Sequence, residues 1–154
     1  MILFDINMKG LPKFVTPARP TDLHRTQHPL KASPRVRVLL IEDHEDSAES
    51  LKLLLELSNY EVEIARTAES GIAHAIRNNP RVVLCDIGLP DGRSGYEVAE
   101  ALSQRHEMAE TVLIALTGYG QDEDKHRARQ AGFDHHLTKP VDPGELEKLL
   151  ALHR

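Results

Sequence analysis

The chain has 154 residues, 40% of them hydrophobic and 28% charged, with a net charge of −5 and a single cysteine. That length suits one ordinary domain with a full core, and one cysteine excludes an intrachain disulfide framework. No apolar run approaches the roughly 20 residues that span a bilayer, and the opening MILFDINMKG lacks the features of a secretory signal, so the expectation is a cytoplasmic protein without a membrane span.

Residues 1–34 carry five of the nine prolines (Pro12, Pro17, Pro20, Pro29 and Pro34) and show no sustained periodicity, which reads as a flexible arm or linker. They hold five Lys/Arg against two Asp/Glu, whereas residues 35–154 hold 14 basic and 22 acidic residues. An acidic body without a basic stripe argues against nucleic acid as a direct ligand.

Regular patterning begins at Val36. VRVLLI (Val36 to Ile41) is a continuous apolar strand running into Glu42-Asp43, and Asp46 to Leu57 has helical spacing, with Asp46 and Glu49 expected as an N-terminal capping pair. Glu61 to Ala65 alternates as a second strand. Thr67 is placed to cap a helix whose Ala68, Ile72, Ala75 and Ile76 share a face, and Asn78-Asn79-Pro80 stops it. The third unit is a strand from Arg81 to Asp86, a Gly/Pro-rich loop, and a helix from about Tyr96 to Gln104. Thr111 to Thr117 forms the fourth strand, followed by a charged helix near Asp122 to Ala131 that ends at Gly132. His135 to Thr138 is a short fifth strand, and Gly144 to Leu152 a last helix with Leu146, Leu149 and Leu150 inward. Alternating apolar strands and helices of this kind specify an α/β domain, with a doubly wound parallel sheet covered on both faces.

In such sheets chemistry gathers at the carboxyl ends of the strands. Those ends supply Glu42 and Asp43, then Asp86, Thr117 and Lys139. The combination suits phosphate chemistry. Clustered carboxylates match a hard ion such as Mg²⁺, an aspartate can attack phosphorus, and a lysine and a hydroxyl can steady phosphoryl oxygens. Each residue alone is ordinarily a solvated loop residue, a helix cap or a strand end; their coincidence on successive strand ends is the informative signal. Cys85, inside an apolar strand, reads as a small core residue.

The motifs VLLIEDHEDS, VVLCDIGLPDG, ALTG and AGFDHHLTKP together resemble the receiver domain of two-component response regulators, over about Arg35 to His153. The FDHHLTKP form is similar to receivers of hybrid histidine kinases or phosphorelays. The resemblance implies a receiver domain over 35–154 with a flavodoxin-like (βα)5 fold and strand order 2-1-3-4-5. It also implies that Asp86 accepts a phosphoryl group from the phosphohistidine of a histidine kinase or histidine phosphotransfer protein. Asp43, Asp86 and the backbone carbonyl of Gly88 would hold Mg²⁺ or Mn²⁺, with Glu42 acting directly or through water. Gly118 would leave room beside the phosphoryl group, and the Lys139–Pro140 peptide would be cis.

Two departures from the family pattern are visible. The switch position that works with Thr117 commonly holds Tyr or Phe and here is His136, and the loop PDGRSG is one residue longer than usual. The expected role is a single-domain response regulator, not a turnover enzyme, that signals through protein contacts to a downstream target still to be named. The face built from the fourth helix, fifth strand and fifth helix is the expected contact, including for a dimer. The alternatives are a docking module that works without phosphorylation, and an aspartate-nucleophile phosphohydrolase. The latter lacks a side chain at Gly88 to serve as general acid or base.

Overall fold

The computed structural model describes residues 34–90, 92–118 and 122–154. The arm expected over residues 1–34 lies, Pro34 apart, outside them. Five strands, β1 (Val36–Ile41), β2 (Tyr60–Ala65), β3 (Val82–Asp86), β4 (Val112–Thr117) and β5 (His135–Thr138), form one sheet in the order β2-β1-β3-β4-β5. Every neighbouring pair is parallel. Five helices connect and follow them: α1 (Glu45–Leu57), α2 (Ala68–Asn78), α3 (Gly95–Ser103), α4 (Asp122–Ala131) and α5 (Pro143–Ala151). This is the doubly wound, flavodoxin-like architecture expected from the sequence.

The central strands lack polar alternation because both of their faces are covered. Along β1, Leu39 and Ile41 join a core with α2, α3 and α4, while Val38 and Leu40 join a second core with α1 and α5. The same division recurs in β3 and β4, where Val83, Cys85, Leu113 and Ala115 face one layer and Leu84, Ile114 and Leu116 the other. Successive side chains of a strand point to opposite faces, so a strand sandwiched between helix layers is apolar throughout.

Helix ends show where local chemistry was read well and where it was not. Thr67 caps α2 as expected, in a reciprocal capping box with Ser70, and Asn79 closes it in the left-handed region at φ 44°. Gly132 follows α4 at φ +111°, a conformation that favours glycine. The Asp46–Glu49 capping pair does not form. α1 begins at Glu45 after His44, whose side chain makes no cap bond; the His44 N–H donates instead to Glu42 Oε1 at 3.1 Å. Asp46 therefore lies inside the first turn, where its negative charge still suits the helix dipole. α3 starts one residue earlier than expected because Ser94 and Glu97 form a capping box, and α5 starts at Pro143 because Asp142 accepts from Glu145 N. A short 3₁₀ turn at His106–Met108, not anticipated from sequence, precedes β4.

Candidate functional site

The sheet register brings the strand ends level. Ile41 pairs with Cys85, Asp86 with Leu116, and Thr117 with Thr138, so the residues just past β1 and β5 meet the last residues of β3 and β4. Backbone bonds carry this alignment one step beyond the strands: Glu42 N to Ala65 O, Ile87 N to Leu116 O, and Lys139 N to Thr117 O at 2.7 Å. The rim is therefore fixed by the main chain before any side chain contributes.

On that rim Glu42 is 1% exposed and Asp86 8% exposed. Two carboxylates so far removed from water need partners. Lys139 supplies a shared one, with its Nζ 2.6 Å from Glu42 Oε2 and 3.1 Å from Asp86 Oδ2. The remaining oxygens are met by backbone N–H groups, His44 N on Glu42 Oε1 and Gly88 N on Asp86 Oδ1, each at 3.1 Å. Burial alone would push the Lys139 ammonium down. Its hydrogen bonds to Glu42 and Asp86, together with their charges, outweigh that and raise it above the ordinary lysine value.

Asp43 is exposed at the mouth of the same cluster, and Glu42, Asp43 and Asp86 can each present an oxygen within 4.8 Å of the others. An all-oxygen donor set of this size, with one solvent-facing member, fits a hard divalent ion that keeps several waters. Thr117 is buried at 5% exposure at the end of β4, next to the strand that carries Asp86. A Cβ added at Gly118 would meet nothing within 4 Å among the described residues. The Lys139–Pro140 peptide is cis.

The structure thus brings Glu42, Asp43, Asp86 and Lys139 into one cluster, with Thr117 on the neighbouring strand end and the Gly88 backbone closing the loop onto Asp86. His136 stands elsewhere. It lines a surface groove of about 460 Å³ with Arg129, Lys148 and Leu149, between α4 and α5. Burial, and then the nearby charges of Lys125 and Arg129, push its imidazole below the ordinary value. The longer loop passes through Gly92 at φ +72°, and residue 91 lies outside the described residues. Cys85 is fully buried beneath the site; burial first, then Asp86 and Glu42, drive its thiol strongly upward, which makes it inert as a nucleophile.

Gly95 imposes a packing constraint on the site that sequence reasoning missed. Its N–H donates to Ile87 O at 2.9 Å, and a Cβ there would fall 2.4 Å from the carbonyl oxygen of Asp86. The start of α3 is therefore pressed against the backbone of the central aspartate. The sequence held only a loop glycine at that position, and nothing local reports such a close approach.

Comparison with known proteins agrees with the geometry. Residues 38–151 match the response regulator receiver domain family. The chain is 31% identical over 113 residues to an uncharacterized 14.6 kDa protein of Leptolyngbya boryana, covering 73% of this chain and 86% of that one. It is 37% identical over 111 residues to the cell cycle response regulator CtrA of Brucella ovis, covering 72% of this chain but only 47% of the relative. Among solved structures, the chemotaxis response regulator CheY4 of Vibrio cholerae superposes with a TM-score of 0.73 at 25% identity, covering 79% of this chain and all of that one. With the sheet order, the acidic rim and the shared lysine in place, the chain belongs to the response regulator receiver domain family.

Proposed function

We propose that Asp86 accepts a phosphoryl group from a phosphohistidine of a histidine kinase or histidine phosphotransfer protein, and that the phosphorylated domain signals through protein contacts. The observation that carries this reading is the Lys139 ammonium between the Glu42 and Asp86 carboxylates at the strand ends. In the transfer an Asp86 carboxylate oxygen attacks phosphorus, the donor's P–N bond breaks, and its electron pair returns to the imidazole nitrogen, which takes a proton. Lys139 is positioned to balance charge on the phosphoryl oxygens, and Thr117 to donate a hydrogen bond to one of them. Gly88 N, already bonded to Asp86 Oδ1, holds the nucleophile in place.

Glu42, Asp43 and Asp86, with the Gly88 carbonyl, would hold Mg²⁺ or Mn²⁺, whose charge offsets that of the phosphoryl oxygens when bound. The face of α4, β5 and α5, with the His136 groove, is the proposed contact for a downstream protein or a second copy. Its population would shift on phosphorylation. No helix among the described residues is long and apolar enough to cross a membrane, which fits the proposed work in the cytoplasm.

The test is incubation of the full chain with acetyl phosphate and Mg²⁺, followed by intact mass measurement. One labile phosphoryl group per chain is expected on wild type and none on Asp86→Asn. An unlabelled wild type would favour the docking-module reading. Sustained turnover of a phosphate ester would favour the hydrolase.

A further inference from the structure

Two histidines outside the acidic rim meet head to head. His135 opens β5, and His153 lies two residues past the end of α5. Their Nε2 atoms are 3.2 Å apart, with ring centroids 5.3 Å apart and the planes tilted by 50°. Neither ring hangs on loose backbone. His135 is in register with Ile114 of β4, while His153 N donates to Leu150 O at 3.0 Å and His153 O accepts from Arg81 Nε at 3.1 Å. Arg81 is itself pinned by Glu110 O at 2.8 Å.

A tetrahedral ion with metal–nitrogen bonds of about 2.0–2.1 Å sets two of its ligand nitrogens about 3.3 Å apart. The 3.2 Å separation is close to that edge, and both rings contribute the same nitrogen, Nε2, to the contact. We propose that His135 and His153 form a two-imidazole site for a divalent transition-metal ion of the zinc type, separate from the acidic rim. Imidazole nitrogen suits Zn²⁺, Cu²⁺ and Ni²⁺, whereas the all-oxygen rim suits Mg²⁺, so the two sites select different ions.

The only group of three or more such ligands among the described residues is Glu42, Asp43 and Asp86, so the other coordination positions at the histidine pair fall to water. The neighbouring carboxylate, Asp134, is engaged with Leu113 N at 2.8 Å. The site is therefore open and exchangeable. When filled, it fastens the end of α5 to the start of β5, two elements of the proposed signalling face. The competing arrangement is a plain N–H···N hydrogen bond, in which a proton occupies the place of the ion.

The experiment is thermal unfolding of the full chain at saturating Mg²⁺, with and without micromolar Zn²⁺. A rise in Tm of about 2–4 °C is expected for wild type and for Asp86→Asn, and none for His135→Gln or His153→Gln. In parallel, Cu²⁺ bound to wild type should give an electron paramagnetic resonance spectrum with coupling to two imidazole nitrogens. Absence of a zinc shift in wild type, an equal shift in both histidine variants, or fewer than two coupled nitrogens would overturn the proposal. Because the chain has nine histidines, the two-nitrogen pattern must also be lost in His135→Gln and in His153→Gln. Its persistence in either variant would overturn the proposal, and fewer than two nitrogens in wild type does so even if a variant fails to fold.

Discussion

Glu42 is the least exposed carboxylate of the rim, and its stability rests on one ammonium and one backbone N–H. Removing one partner of a buried pair leaves an uncompensated charge, which costs more than the pair itself contributes. Lys139 is 29% exposed on its side chain, so water reaches part of the pair and softens the penalty. Lys139→Ala is accordingly expected to lose about 2–3 kcal/mol in urea unfolding. Adding Glu42→Gln, which removes the orphaned charge, should return at least about 1 kcal/mol of that loss. Strict additivity of the two substitutions would show that Lys139 serves only Asp86. The sequence disclosed that these residues share a rim, because strand-end positions follow from the alternation of strands and helices. It could not disclose that Lys139 lies nearer to Glu42 than to Asp86, since that depends on side-chain reach across 97 residues of chain.

Among the elements, strands and helices were both legible to within a residue, whereas the capping bonds that set each helix start were read less evenly. A doubly covered strand writes itself as a nearly continuous apolar run, so β1 and β4 were readable to within a residue. A helix start depends instead on which of several nearby polar side chains wins the capping bonds. Asp46 and Glu49 looked suitable, yet the chain had already entered the helix at Glu45. The junction of β3 with α3 matters most for function, because Gly95 touches the Asp86 carbonyl there. The obstacle to a side chain is rigid backbone, with the Cβ also 2.9 Å from Ile87 Cα, so relief requires α3 to move. Gly95→Ala should therefore cost about 1–3 kcal/mol by overpacking and slow the labelling of Asp86. Thermal melts and labelling rates measured on the same preparation check both effects. A variant that melts like wild type would show that the loop before α3 gives way without strain.

On the scale of the whole domain, the fold does one electrostatic thing that its packing does not require. Among the described residues it holds three carboxylates within 4.8 Å of one another against the single ammonium of Lys139. That arrangement leaves a net negative cluster, a cost the two apolar cores sustain. A divalent cation that binds the folded rim and not the unfolded chain stabilises by RT ln(1 + [L]/Kd), about 2.7 kcal/mol at a hundredfold excess over Kd. Millimolar Mg²⁺ should thus raise Tm by several degrees. The identity of the effect lies in how variants alter it. Asp43→Asn keeps Lys139 paired with both Glu42 and Asp86 but removes the solvent-facing ligand, so the Mg²⁺ shift should largely vanish while the melt without Mg²⁺ rises or holds. Lys139→Ala strips the competing cation, so it should lower the melt without Mg²⁺ and enlarge the shift. Equal Mg²⁺ shifts in wild type and both variants would place the ion elsewhere, because no arrangement of these four side chains responds identically to losing an anion and losing a cation.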